Sequence, residues 1–264
     1  MYYRRRLKSY NLYTGLLIGC IITAFQFISD YVILATQLNG NARIFTPYTL
    51  FIGYNLGPWT VFYYTLIPIL ASLSLNQLVY QDLKSGYIHY VVKKIGHRKY
   101  VFNSFLTTFI GGCLTTCLPL LLNFILYYCT LPNLKPDQIL NANQMLTPDL
   151  TYLTGVYYSN PFVHVLFYVL LAGLVGGTFA TGSLVLICLT RNIFTDFAGM
   201  FLLSLIADVL AANTQQAIFS PTLFAIPQCP VYLPTLGWAI TELAILLVFF
   251  AGCFNYGIKK IIFN

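Results

Sequence analysis

The fold of this chain is decided around residues 81–99, which read QDLKSGYIHYVVKKIGHRK and separate two long apolar runs. This stretch holds five of the fourteen Lys and Arg residues. On a helical wheel its branched apolar residues share an arc of roughly 100°; they are Ile88, Val91, Val92 and Ile95. His89, Lys93 and Lys94 lie outside that arc, and Gly96 follows as a suitable helix stop. The pattern predicts a short amphipathic helix at a membrane surface, with its apolar side in lipid or against other helices and its basic side in water.

The composition indicates an integral membrane protein. Of the 264 residues, 58% are hydrophobic and only 8% are charged, whereas a soluble domain carries about 25% charged residues. The net charge of +7 is compatible with a nucleic-acid partner, but the basic residues lie between apolar runs and at the termini. That placement is typical of orientation by anionic lipid. We therefore expect contact with membrane lipid and no nucleic acid.

The apolar runs predict an all-α membrane protein, a single domain over residues 1–264 with six transmembrane helices. The spans are expected at about 12–35, 58–78, 101–126, 162–189, 194–212 and 236–256. At about 1.5 Å per residue, each run reaches across a hydrocarbon layer of roughly 30 Å. Residues 48–57 are aromatic and apolar and are expected to dip back into the interface. The uncharged, proline-rich residues 213–235 are expected to be partly buried, which requires that protein cover their backbone.

The distribution of positive charge predicts that both termini lie in the cytoplasm. With the N-terminus inside, the inner segments hold twelve Lys and Arg residues, which are Arg4, Arg5, Arg6, Lys8, Lys84, Lys93, Lys94, Arg98, Lys99, Arg191, Lys259 and Lys260. The outer segments hold only Arg43 and Lys135. Cytoplasmic loops carry the excess of basic residues in membrane proteins. Trp59 and Trp238 begin the second and sixth spans at the predicted outer interface, where indole rings are enriched.

The sequence carries no motif of an enzyme or of a metal site. It has no Gly-x-x-x-x-Gly-Lys-Ser/Thr loop for nucleotide phosphates and no His-Glu-x-x-His or paired-cysteine motif. The three histidines are scattered, and we interpret His164, near the outer end of the fourth span, as structural or interfacial. We therefore predict no catalytic residues, no metal and no cofactor bound by this chain. Cys129 and Cys229 lie near span ends on the predicted outer face, and the sequence leaves open whether they form a disulfide.

The fourth span is rich in small residues. Gly173 and Gly177 have the four-residue spacing that lets two helices approach closely. Two uses fit this spacing: packing within one subunit, or packing at an interface between subunits.

Three acidic residues are predicted to lie at membrane depth, in the outer half of the bilayer: Asp30, Asp208 and Glu242. Charges at this depth are costly, and they face a protein interior or a watery cavity. One interpretation is that the three pair with buried hydroxyl groups or stay wet near the surface. The other is that they form an acidic translocation path for a cationic substrate.

The basic stretch resembles the first cytoplasmic loop of ABC-2-type ABC transporter permeases. In that family an acidic residue, a glycine and a later arginine recur with the spacing of Asp82, Gly86 and Arg98. The six-span plan and the proline-rich outer segment before the last span are also similar. The sequence departs from the family pattern at Tyr87, where Thr is common, and at His97, where Ser is common.

The resemblance implies a permease subunit of an ATP-driven exporter in a cell membrane, which we expect to be a bacterial plasma membrane. It implies separate cytoplasmic ABC ATPase subunits, expected in two copies, which bind ATP and Mg. It also implies a second permease copy or a sister permease. The helix between spans two and three would then be the coupling helix. The ATPase-coupling residues implied by the resemblance are Asp82, Lys84, Ser85, Gly86, Tyr87 and Arg98.

Two other classes of membrane protein remain open. An ATP-independent channel or carrier is disfavoured because the sequence has no pattern of inverted repeats or broken core helices. A membrane scaffold that transports nothing is the other alternative. For an exporter, the 21 Tyr and 21 Phe residues and the scarcity of outer basic residues favour an amphipathic substrate, such as a peptide, an antimicrobial or a drug-like molecule, over a polyanion.

Overall fold

This computed structural model describes residues 10–37, 45–54, 57–137 and 146–263 of the chain. In chain order the helices within these ranges are α1 (Tyr10–Gln37), α2 (Pro47–Leu50), α3 (Pro58–Ser72), α4 (Asn76–Lys84), α5 (Tyr87–Ile95), α6 (His97–Thr130), α7 (Thr154–Ser159), α8 (Pro161–Thr190), α9 (Ile193–Thr214), α10 (Pro221–Phe224) and α11 (Leu236–Phe263). A 3₁₀ turn at Ala217–Phe219 precedes α10. No β-strand forms in these ranges. Five of the basic residues used above for topology lie outside them, namely Arg4, Arg5, Arg6, Lys8 and Arg43.

Six segments of the described chain are long and apolar enough to cross a membrane: Tyr10–Ile33, Pro58–Lys84, His97–Thr130, Pro161–Thr190, Ile193–Thr214 and Leu236–Ile262. They overlap the six runs singled out in the sequence. The structure therefore fits a multi-pass membrane protein. Helix α5 lies between the second and third spans in the chain, and therefore at one end of the bundle, which we call the basic end. We call the opposite end the cap end, after the segments described below that cover it.

The second span is interrupted, which corrects our expectation that the chain has no broken core helix. Helix α3 ends at Ser72, residues 73–75 form a turn and bends, and α4 begins at Asn76. Pro68 removes one backbone N–H group from the last turns of α3. The Ser72 hydroxyl donates to the Ile69 carbonyl at 2.8 Å, a local bond that competes with the helical ladder.

Helix α8 is the most buried of the six spans and contacts α3, α6, α9 and α11. The close approach of α6 to α8 depends on glycine. A Cβ atom on Gly112 would lie 2.7 Å from the carbonyl oxygen of Gly176 and 2.5 Å from the Cβ of Ala180. By contrast, α9 and α11 leave most of their side chains at the perimeter of the bundle. Their exposed apolar faces suit contact with lipid.

At the cap end, three segments pack together into a lid over the spans, which we call the cap: residues 45–54, 146–160 and 215–235. Backbone hydrogen bonds join the three segments. The amide of Gln228 donates to the Gly53 carbonyl at 3.0 Å, and that of Cys229 donates to the Leu150 carbonyl at 2.9 Å. The proline-rich segment is thus covered by protein, as predicted, and its buried backbone finds the partners that burial demands.

His164, in the first turn of α8, joins this helix to the cap through hydrogen bonds. Burial raises the pKa of Tyr54 well above its usual range, so the phenol keeps its proton. The Tyr54 hydroxyl donates to His164 Nδ1 at 2.5 Å, and Nε2–H of the same ring donates to the Tyr152 carbonyl at 2.8 Å. Because the carbonyl can only accept, the proton of the neutral imidazole lies on Nε2, which leaves Nδ1 to accept from the Tyr54 hydroxyl. These bonds support the interpretation of His164 as a structural residue.

Candidate functional site

Helix α5 lies against the basic end of the bundle with its apolar face inward. Ile88, Val91 and Val92 are buried, and Ile95 is partly buried. They pack with side chains of α6, α8 and α11, including Tyr100, Leu184 and Phe254. Sequence reasoning left lipid and protein open as the neighbour of this face. In the structure this neighbour is protein, because the apolar side chains of α5 share one buried cluster with side chains of three spans.

The opposite face of α5 is polar and open. His89, Lys93 and Lys94 are exposed, and the rings of Tyr87 and Tyr90 stack at 5.7 Å between centroids. This face carries two cations next to an aromatic pair at the point where the second span meets the third. It can form charge-assisted hydrogen bonds and cation–π contacts with a partner, or contact lipid phosphates.

The turn that joins α4 to α5 depends on the backbone of Gly86. Its φ is +70°, in the left-handed region that other residues adopt only with strain. A Cβ atom there would meet nothing within 4 Å, so the constraint is conformational and not steric. Ser85 tightens the same turn, because its Oγ donates to the Gln81 carbonyl at 2.7 Å. The side chain of Lys84 extends over the ring of Tyr80 at 5.9 Å.

The turn is tied to the start of α6. The Tyr100 hydroxyl donates to Asp82 Oδ2 at 3.3 Å, although Tyr100 follows Asp82 only after the whole of α5. His97, at the start of α6, lies 2.8 Å from Asn255 Oδ1 of α11. Arg98 is exposed beside them. The structure therefore brings Asp82, Lys84, Ser85, Gly86 and Tyr87 into one turn, with Arg98 beyond the other end of α5.

The three acids predicted at membrane depth do not share one site. Asp30 belongs to a bonded network between α1 and α6. Its Oδ2 accepts from Gln26 Nε2 at 2.6 Å and from the Tyr127 hydroxyl at 3.0 Å. Asn123 Nδ2 donates to Gln26 Oε1 at 2.6 Å, and Asn123 Oδ1 accepts from the amide of Ile52 in the cap. These contacts favour a structural role for Asp30.

Asp208 of α9 lines a cavity of about 360 Å³ between α3, α9 and α10. Its Oδ1 accepts hydrogen bonds from the hydroxyls of Ser220 and Thr222, which begin α10. Tyr64 and Thr60 line the same cavity. Asp208 is therefore bonded to the cap but also faces open space.

Glu242 of α11 lines a separate cavity of about 230 Å³ between α8, α9 and α11. Its Oε2 is buried and has no hydrogen-bond partner in the described part of the chain. The other walls are largely apolar, with Phe179, Met200 and Phe250 among them. A carboxylate in an apolar cleft can pair with the cationic group of an amphipathic molecule. Of the three acids, Glu242 has the surroundings that best suit a ligand.

Sequence reasoning missed a buried polar pair at the break in the second span. Asn76 and Asp196 are both fully buried, and Asn76 Nδ2 donates to Asp196 Oδ1 at 3.1 Å. Asp196 lies so near the predicted start of the fifth span that the sequence does not place it among the acids at membrane depth. Its position two residues inside the predicted apolar run was the available signal.

The glycines of the fourth span face α6 of the same chain. A Cβ atom on Gly173 would lie 2.3 Å from Cys117 Sγ, and one on Gly177 would lie 2.6 Å from the ring of Phe109. Of the two uses left open, this geometry favours packing within one subunit.

The described cysteines are all free thiols, including Cys129 and Cys229. Cys129 is exposed, whereas Cys229 is buried in the cap, where burial raises its pKa to about 12. No three His, Cys, Asp or Glu side chains come together as metal ligands within the described ranges. Comparison of the chain with models of protein families, with curated proteins and with solved structures returns no match.

Proposed function

We propose that the chain is the permease subunit of an ATP-driven ABC exporter in a bacterial plasma membrane. The observation that carries the proposal is helix α5, whose apolar face packs on three spans while its basic face stays open. A membrane subunit without a nucleotide-binding motif must receive its energy from a partner. A helix that is docked on the spans and exposed to a partner is an element that both could bias.

In this proposal the transporter contains this chain together with a second copy of it or a sister permease. Two cytoplasmic ABC ATPases bind ATP and Mg. Each ATPase contacts the α4–α5 turn of one permease. Asp82, Lys84, Ser85, Gly86, Tyr87 and Arg98 form the coupling site. The chain itself carries the substrate across the membrane and catalyses no reaction. Copurification of an ATPase with the tagged chain is the first test.

Reconstituted complexes test the coupling site directly. We expect Asp82→Ala, Gly86→Val and Arg98→Ala to insert normally but to lower both transport and substrate-stimulated ATP hydrolysis. Replacement of Lys93 and Lys94 by Gln should do less, because both lie outside the α4–α5 turn and already contribute to the charge bias that predicts the orientation of the chain. Tyr100→Phe is the matched control for Asp82, since it removes the hydrogen bond from the Tyr100 hydroxyl and keeps the carboxylate. Wild-type activity in all three variants would exclude this turn as the coupling element.

The substrate proposed here is an amphipathic cation that passes Glu242, and Asp208 lines a separate cavity on the other side of α9. The support is the unpartnered Glu242 carboxylate in an apolar cleft. Glu242→Gln should weaken export of a cationic amphiphile more than that of its neutral analogue. Asp30→Asn, in the bonded network, should affect stability and both substrates alike. Equal effects of Glu242→Gln on both substrates would contradict a cation-selective path.

The interrupted second span favours an ATP-independent carrier as the second candidate, because carriers build midplane sites from broken helices. Proteoliposomes that contain the purified chain alone separate the candidates. Uptake driven by an ion gradient without ATP would support the carrier, and transport only with an added ATPase supports the exporter. A chain that transports under neither condition and recruits no ATPase would be a scaffold.

A further inference from the structure

The polar pair at the break in the second span is enclosed by three helices. Asn76 opens α4, and its Nδ2 group donates to the Ala180 carbonyl of α8 and to Asp196 Oδ1 of α9, both at 3.1 Å. The Ser183 hydroxyl of α8 donates to the backbone carbonyl of Asp196 at 3.2 Å. Because both neighbours of Nδ2 are acceptors, the amide cannot be turned round without setting oxygen against oxygen.

Two acceptor atoms of this pair are left over. Asp196 Oδ2 and Asn76 Oδ1 are buried and have no hydrogen-bond partner among the described residues. Both amide protons of Asn76 are already used, so the amide cannot satisfy the second carboxylate oxygen. An ionised Asp196 would then hold a full negative charge against one amide, away from water. Such burial costs several kcal/mol unless the charge is paired or removed.

No cation among the described residues faces Asp196. On α4 the group that meets it is Asn76, and the charged Asp82 and Lys84 stand at the far end of that helix. On α8 the nearest ionisable side chain beyond Ser183 is Cys188, and Arg191 after it is exposed.

The remaining elements packed against α9 bring no cation either. The ionisable side chains of α3 are Tyr63 and Tyr64, which bond to the carbonyls of Thr116 and Ile52. The 3₁₀ turn and α10 lie at the cap end, beside Asp208. Helix α11 faces α9 across the cavity of Glu242, and its cations Lys259 and Lys260 are exposed near the end of that helix.

A single proton between Asp196 Oδ2 and Asn76 Oδ1 would give both atoms a hydrogen-bond partner. A protonated carboxyl has an O–H donor. With the proton on Asp196 Oδ2, that atom becomes a donor, and Asn76 Oδ1 is an unused acceptor on the group to which Asp196 is already bonded. We propose that Asp196 and Asn76 form an intramembrane proton-binding site that joins α4, the part of the second span nearest the basic end, to α8 and α9. This site goes beyond the proposed transport function and does not depend on it.

The proposal has a conformational consequence. Loss of the proton to water leaves a charge in the pair and removes one of its two hydrogen bonds. Helix α4, which leads directly into the α4–α5 turn, then loses part of its attachment to α9, while its bond to the Ala180 carbonyl of α8 remains. The folded protein holds a proton here that the unfolded chain has released at neutral pH. Linkage therefore requires the folded state to lose stability as the pH rises, and we expect the loss at this attachment, where the proton is held.

Infrared spectroscopy of the reconstituted full chain, with only aspartate isotopically labelled, tests the site. The label excludes the single glutamate, Glu242, from the signal. We expect a protonated-aspartate carbonyl band at neutral pH. It should vanish in Asp196→Asn and persist in Asp30→Asn and Asp208→Asn, whose carboxylates already accept two hydrogen bonds each. A wild-type spectrum without this band overturns the proposal whether or not the variants fold, and so does a band that survives in Asp196→Asn.

Hydrogen exchange of residues 76–84 supplies the second measurement. Asparagine at position 196 offers an N–H donor in place of the carboxyl O–H, so Asp196→Asn mimics the protonated state. At raised pH we expect faster exchange in the wild type than in this variant at the same pH. This difference should appear over the pH range in which the wild-type band disappears. Equal exchange in the two proteins across that range would contradict the proposed attachment.

Discussion

At the scale of single residues, Asn123 connects three parts of the molecule. It lies on α6, is fully buried, and donates to the Thr23 carbonyl at 3.1 Å and to Gln26 Oε1 at 2.6 Å. Its Oδ1 accepts the amide of Ile52 in the cap at 3.2 Å. A side chain that satisfies donors and acceptors on α1 and the cap holds these segments in register, because each partner would otherwise be buried and unpaired.

Asn123→Ala should therefore lower the free energy of unfolding, by about 1–3 kcal/mol for each buried partner left unpaired. Asn213→Ala is the matched control, since Asn213 is exposed and bonds only to a carbonyl of its own helix. Equilibrium unfolding of the purified protein in mixed detergent micelles measures both. Similar losses in the two variants would show that Asn123 does not hold these segments together.

At the scale of elements, the docking of α5 depends on its apolar face. Ile88 is 1% exposed and lies in the cluster formed with α6, α8 and α11, whereas the adjacent His89 is exposed. Ile88→Ala should release α5 from the bundle, since such truncations in a packed core cost about 2–5 kcal/mol. His89→Ala should leave it docked. Hydrogen exchange of residues 87–95 distinguishes the two variants, because only Ile88→Ala should lose protection there. Unchanged protection in Ile88→Ala would mean that other contacts hold α5.

The contact between α6 and α8 makes a second prediction about elements. An added methyl group at Gly112 would meet the backbone of Gly176 at 2.7 Å, and backbone cannot move aside as a flexible side chain can. Gly112→Ala should thus reduce the yield of folded protein and its melting temperature. Gly252→Ala on α11, where a Cβ atom meets nothing within 4 Å, should be neutral or slightly stabilising. If Gly112→Ala melts like the wild type, the two helices are less closely packed than described.

At the scale of the whole molecule, the bias of positive charge predicts that the basic end faces the cytoplasm. Lys135 and Ser85 are both exposed and lie at opposite ends of the bundle. In a background without native cysteines, Lys135→Cys should react with an impermeant thiol reagent added to intact cells. Ser85→Cys should react only after the cells are opened. Labelling of Ser85→Cys in sealed cells would overturn the predicted orientation.

The sequence by itself determined the six apolar spans of this molecule. Length and apolar composition are properties of one segment, so the six spans follow from them, as does the amphipathic face of α5 around Ile88 and Val91. The stop at Gly96, with φ +86°, also follows from local conformation. These features need no knowledge of neighbouring segments, because helical hydrogen bonds and side-chain periodicity are local.

Only the tertiary structure decided which buried polar groups meet. Asp30, Asp208 and Glu242 look alike in the sequence, yet one lies in a bonded network and the other two face separate cavities. The pairing of Asn76 with Asp196 joins residues 120 positions apart, at a break that periodicity did not reveal. The partner of a buried polar group comes from another segment of the chain, so its identity depends on how the helices pack, and the pattern of any one helix does not contain it.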